Sequence, residues 1–128
     1  MNASPRDGGG CVLVVDDEED IRDALCEAIE MTGCRAITAA NGAAALELLR
    51  TSRPCLIILD LLMPVMTGQE LIEAMRKEPE LAALPVVVST SAPARAPAGV
   101  PILPKPIDID KFFEWLRRSC QCEHPPME

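Results

Sequence analysis

The sequence predicts an α/β fold, a doubly wound five-stranded parallel sheet with helices on both faces, and three observations carry that prediction. Short runs without charges, such as "CVLVV" and "CLIIL", suit strands that are buried on both faces rather than one. Between them lie segments whose apolar residues recur every three or four positions, as in helices with one inward face. The two patterns alternate along the chain, and such alternation yields parallel strands joined by crossover helices.

The glycines at 8–10 precede the first strand, which ends in the acids Asp16 and Asp17. From Glu18 to Thr32, Ile21, Ala24, Leu25, Ala28 and Ile29 share a helical face, and Gly33 sits where the helix stops. Glu18, Glu19 and Asp20 read as charge at the helix N-terminus. "CRAITAA" is a second strand, and "NGAAALELLRTS" a second helix with Asn41 as N-cap and Pro54 past its end. The third strand, "CLIILD", stops on Asp60 and passes into the turn-rich "LLMPVMTG". A third helix follows from about Gln69 to Lys77, carrying Leu71, Ile72 and Met75, and Pro79 and Pro85 bracket the link to the fourth strand, "PVVVST". "VPIL" is the fifth strand, and "DIDKFFEWLRRS" the last helix, with Ile109, Phe112, Phe113 and Leu116 on one face. Asp108 suits its N-cap, Arg117 and Arg118 its C-terminal dipole, and Trp115 is read as packing inward. Only 14 residues separate Thr90 from Lys105, with Pro93, Pro97, Pro101 and Pro104 among them. The helix expected between strands four and five is therefore truncated or missing.

With 128 residues and 48% hydrophobic content, the chain is one ordinary domain over 11–118, with a disordered tail at 1–10 and a flexible tail at 119–128. A net charge of −8 argues against nucleic acid and anionic membrane as partners. No apolar run is long enough to span a bilayer and the N-terminus lacks a signal-peptide pattern, so a cytoplasmic protein is expected. Cys11, Cys26, Cys34 and Cys55 lie in or beside apolar segments and are expected to be reduced, acting as small hydrophobes. Cys120-x-Cys122-x-His124 lacks the paired spacing of structural zinc sites and reads as tail.

In sheets of this kind, ligands collect outside the carboxyl ends of the strands. That edge receives Asp16, Asp17, Asp60, the hydroxyls of Ser89, Thr90 and Ser91, and Lys105. Three close carboxylates repel one another unless a cation joins them, and oxygen ligands favour Mg²⁺. A lysine and a hydroxyl can hold phosphate oxygens while a carboxylate acts as nucleophile, so the set suits an aspartyl-phosphate acceptor.

"VVDDEEDIR" at 14–22, "LIILDLLMPVMTG" at 56–68, Thr90 and "LPKP" at 103–106 together resemble the response-regulator receiver domain of two-component signalling, with its flavodoxin/CheY-like fold. The resemblance covers about residues 11–118 and implies Asp60 as phosphoacceptor, Asp17 as direct Mg²⁺ ligand and Asp16 as a ligand through water. It also implies the backbone carbonyl of Leu62 in the coordination, Lys105 on the acyl phosphate, a cis Pro106 and Thr90 as switch hydroxyl, with Ser91 left open. Pro64 and Gly68 match the loop after the acceptor. A sensor histidine kinase or phosphotransfer protein as donor and a downstream protein target follow, for an acceptor with at most slow autodephosphorylation rather than an enzyme. Ile102 departs from the family, standing where an aromatic residue is usual, and the short connection after Thr90 alters the usual output face. About ten residues after the last helix are too few for an output domain, so the domain is expected to stand alone. A competing function is a receiver-like interaction module that works without phosphorylation. A haloacid-dehalogenase-type phosphatase needs a second Asp where Leu62 stands, and dinucleotide binding needs a glycine motif after strand one.

Overall fold

The structure is a computed structural model, and it describes residues 11–120. Five strands, β1 (Cys11–Val15), β2 (Arg35–Ala39), β3 (Leu56–Leu59), β4 (Val86–Thr90) and β5 (Ile102–Pro104), form one parallel sheet in the order β2-β1-β3-β4-β5. The helices are α1 (Glu19–Met31), α2 (Gly42–Leu48), α3 (Gly68–Arg76), the single turn α4 (Pro79–Ala82) and α5 (Ile109–Ser119).

Alternate residues of β1 and β3 feed opposite sides of the sheet, which is why both strands are apolar throughout. Leu13, Val15, Ile57 and Leu59 pack with Leu49 of the α2 end and with Leu71, Met75 and Leu81 from α3 and α4. Val12, Val14, Leu56 and Ile58 pack on the other side with Leu25 and Ile29 of α1 and Phe112 and Leu116 of α5. Each such fully buried side chain contributes about 1.5–3 kcal/mol of hydrophobic stabilisation. The order reverses direction at β1 and β3, and the crevice above that switch point is where Asp16 and Asp60 leave the sheet.

The stop and start signals act as the sequence predicts. Gly33 adopts a φ of 89° just past α1, Asn41 Oδ1 accepts the Ala44 N–H at 2.8 Å, and Asp108 Oδ1 accepts the Asp110 N–H at 2.9 Å. The connection from β4 to β5 holds only a 3-10 turn, Pro93–Arg95, in keeping with its prolines. Other elements differ from expectation. α3 starts at Gly68, one residue early, because Thr67 and Glu70 form a capping box. α4 forms because Pro79 sits in the first turn, where its missing N–H has no intrahelical partner to lose. Ile109 is 47% exposed rather than buried with Phe112 and Leu116. Trp115 packs partly against the α1/α5 side of the core, with the Arg118 guanidinium 4.9 Å from its ring centroid.

The cysteines require a correction. Cys55 and Cys120 form a disulfide across 65 residues, with Cα atoms 5.3 Å apart, and Cys34 is also disulfide-bonded. Folding brings the foot of β3 beside the end of α5, a meeting that cysteine spacing alone does not reveal. Cys11 and Cys26 are free, partly buried thiols, as expected of small hydrophobes, and burial raises the pKa of each. α5 runs to Ser119, and Cys120 after it is buried. The segments 1–10 and 121–128, with Cys122 and His124, lie outside the described residues. No helix among the described residues is long and apolar enough to cross a membrane.

Candidate functional site

Because all five strands run parallel, their carboxyl ends share one edge, and the chain places its acids there. Asp16 follows β1, Asp17 comes next, and Asp60 follows β3, so that one carboxylate oxygen from each lies within 4.8 Å of the others. Asp16 and Asp60 are 3% and 7% exposed, whereas Asp17 is open to solvent. Lys105 reaches in from the end of β5, with Nζ 2.9 Å from Asp16 Oδ2 and 3.8 Å from Asp60 Oδ1. The Lys105–Pro106 peptide bond is cis.

The electrostatics follow from this crowding. Burial raises the Asp60 pKa first; Lys105 opposes the rise, the charge of Asp16 adds to it, the Leu62 N–H opposes it and the charge of Asp17 adds to it. Burial disfavours the Lys105 ammonium, but the hydrogen bond to Asp16 and the charges of Asp16, Asp60 and Glu18 outweigh that and raise its pKa. Three carboxylates and one ammonium leave two uncompensated negative charges on hard oxygen donors, which fits one divalent cation of the Mg²⁺ type.

Asp16 is held at every polar atom that could let it swing. Its backbone N–H donates to Ala39 O at 3.1 Å, its Oδ1 accepts the Glu18 N–H at 2.9 Å, and Lys105 holds Oδ2. Arg22 Nη1, one turn into α1, donates to the Asp16 carbonyl at 2.8 Å. Sequence reading missed Arg22, since a single arginine on an acidic helix looks like solvated charge; the "DD" six residues before it was the available signal. It also missed Glu18, whose N–H turns the acid pair into a turn.

Thr90 sits at the same edge and is 1% exposed, but its Oγ1 accepts the Ala92 N–H at 2.9 Å and is engaged within its own turn. Ser91 is exposed and lines a groove of about 600 Å³ with Lys105, Ile21, Ala24, Ile107 and Ile109. Ser89 is buried inside β4, its hydroxyl without a partner among the described groups. The Leu62 N–H lies 3.4 Å from Asp60 Oδ1, and its side chain is 51% exposed beside the acceptor.

The loop after Asp60 is tightly built. A Cβ at Gly68 would overlap the Asp60 carbonyl oxygen and approach Leu61 Cα to 2.9 Å, so only glycine fits against the acceptor's backbone. Gly68→Ala is expected to lower unfolding stability by about 1–3 kcal/mol, as for other overpacked sites, which a urea titration measures. Val65 has a φ of 72° between Pro64 and Met66, whose N–H returns to Pro64 O at 2.8 Å, giving a γ-turn of the rare, strained kind. A β-branched residue in that region costs about 1–3 kcal/mol. Val65→Gly is accordingly expected to raise the melting temperature, and an unchanged or lower one would show that no strain resides there.

Similarity to known proteins agrees with this geometry. Residues 12–117 match the response regulator receiver domain family. The chain belongs to that family. Among the relatives of this receiver domain is the sensor histidine kinase TmoS of Ectopseudomonas mendocina, 38% identical over 82 residues, which are 64% of this chain and 8% of TmoS. The receiver domain thus spans a small part of that relative's length. The chemotaxis response regulator CheY4 of Vibrio cholerae superposes with a TM-score of 0.78 at 30% identity, covering 87% of this chain and 98% of CheY4. The response regulator TrrA of Thermotoga maritima, solved in complex with Mg²⁺–BeF, gives 0.76 at 28% identity, covering 86% of this chain and 98% of TrrA. The receiver domain therefore belongs with phosphoacceptor signalling proteins of the CheY-like, flavodoxin-like fold.

Proposed function

We propose that the receiver domain takes a phosphoryl group from a sensor histidine kinase or phosphotransfer protein onto Asp60 and signals by docking to a downstream protein target. The observation that carries this is the buried Asp60 carboxyl facing both an acid pair and the Lys105 ammonium. In the step, an Asp60 carboxylate oxygen bonds to the phosphorus of a phosphohistidine, the P–N bond breaks, and the released imidazole nitrogen takes up a proton.

Asp17, exposed within the acid cluster, would hold Mg²⁺ directly, with Asp60 and the Leu62 backbone carbonyl, and Asp16, whose oxygens are already engaged, would contribute through water. Mg²⁺ held there, as the TrrA complex supports, would supply charge neutralisation for the phosphoryl oxygens. Lys105 moves its ammonium from Asp16 to the new phosphoryl oxygens, and the Thr90 hydroxyl, which accepts the Ala92 N–H, turns its own O–H to donate to one of them. The groove beside Lys105, walled by Ile21 and Ala24 of α1 and by Ile107 and Ile109, suits the apolar face of a donor helix. Such a protein acts in the cytoplasm as an acceptor, not an enzyme on external substrates, with at most slow hydrolysis of its own acyl phosphate.

A second reading, docking without phosphorylation, is favoured by Ile102 in place of an aromatic and by the single turn between β4 and β5. Intact mass after brief incubation with acetyl phosphate, with and without Mg²⁺, separates the two. One Mg²⁺-dependent phosphoryl adduct supports the first reading, and a folded, unlabelled protein supports the second.

A further inference from the structure

The disulfide between Cys55 and Cys120 joins two elements that are held very differently. Cys55 stands at the foot of the acceptor strand, where backbone hydrogen bonds of the sheet hold it. Its N–H donates to Cys11 O at 2.8 Å, and the Ile57 N–H, two residues on, donates to Pro85 O at 2.9 Å. Cys120 is the residue after α5, where a helix end frays unless something holds it. Along α5 only Phe112 and Leu116 are buried, and Cys120 continues the same stripe at a spacing of four. Phe113 and Trp115 add partial packing on the same side, and the Cys55–Cys120 bond fixes the residue just past the last turn of α5.

We propose that Cys55 and Cys120 form a redox-modifiable site, a disulfide opened by dithiol reductants and closed by disulfide oxidants, which latches the C-terminal end of α5 to the acceptor strand. A thiolate of the dithiol attacks Cys55 Sγ, the more exposed partner, and Cys120 leaves as a thiolate that takes up a proton. The second thiol of the reductant then releases Cys55 and closes the reductant's own disulfide, so two electrons pass to the protein. Closure is the reverse, with a small disulfide as oxidant. Burial raises the pKa of the Cys11 and Cys26 thiols, which disfavours the thiolates that would shuffle the bond. Opening leaves β3 in place and frees the end of α5, whose N-terminal end adjoins the loop of Lys105 and the wall of the groove.

The test compares amide hydrogen exchange in the oxidised protein and in protein held in dithiothreitol, with peptide mapping of the disulfides in both. Exchange of the amides of Leu116 to Ser119 is expected to quicken at least about tenfold on reduction while those of β1 and β3 keep their protection. The Cys55→Ala/Cys120→Ala variant is expected to show the fast α5 exchange in both conditions. Equal α5 exchange in oxidised and reduced wild type would overturn the proposal. So would a redox response that persists in the double variant, since it would then belong to the bond at Cys34. Should the double variant not fold, Cys34→Ala, which keeps the Cys55–Cys120 bond and lacks the other, decides: α5 exchange that still quickens on reduction supports the proposal, and exchange that does not overturns it.

Discussion

Asp60→Asn is expected to abolish the phosphoryl adduct and to leave a protein more stable than wild type at neutral pH. The first effect follows because the amide has no anionic oxygen to attack phosphorus while keeping the shape of the site. The second follows from the raised pKa of the Asp60 carboxyl, which burial causes first and to which the charges of Asp16 and Asp17 add. A carboxyl whose folded pKa lies above its unfolded value binds more protons in the folded state, so stability falls as pH rises through that window. Above it, the native protein carries the cost of an ionised, partly desolvated acid, and asparagine removes that cost. The gain should shrink on acidification and vanish below the unfolded carboxyl pKa of about 3.9. Urea titrations of both proteins at neutral and acidic pH measure it. An asparagine variant less stable than wild type at neutral pH would mean that Lys105, 3.8 Å away, outweighs the burial.

Asp17→Ala is expected to abolish Mg²⁺-dependent labelling by acetyl phosphate with the fold intact. Of the three clustered acids, Asp17 alone is exposed, while Asp16 spends both carboxylate oxygens on Glu18 and Lys105. Removing Asp17 takes away the most available ligand and leaves an acid pair already countered by one lysine, a poor site for a hydrated dication. The same substitution removes one of the charges that raise the Asp60 pKa, so the carboxyl should titrate lower. Labelling at the wild-type rate and Mg²⁺ dependence would overturn the metal assignment, and a pH titration of Asp60 by NMR shows separately that the charge has gone.

Much of this was legible in the chain because the relevant physics is local. Buried strands show as apolar runs, Asn41 and Asp108 announce helix starts, and four prolines between Thr90 and Lys105 forbid a full helix. The acids at the ends of β1 and β3 could be assigned to one edge because a parallel sheet leaves no other place for them. What escaped depends on contacts distant in sequence or on competing local signals. Arg22 needed the turn of α1 that carries it back over Asp16, and the Cys55–Cys120 bond needed the whole fold. Pro79 reads as a boundary in the sequence although proline also starts helices, and the Thr67–Glu70 capping box starts α3 one residue before its apolar pattern does.

The brevity of β5 has a consequence for what can bind at that side of the sheet. It is an edge strand of three residues, and edge strands with open N–H groups recruit strands from other chains. Pro101 O and the Lys105 N–H face β4, so by alternation Ile102 and Pro104 present their backbones outward. Pro104 has no N–H, which leaves Ile102 as the only amide donor on that rim. A single donor cannot template a ladder. The edge is closed to strand addition and to edge-to-edge aggregation, so a partner arriving there must recognise side chains.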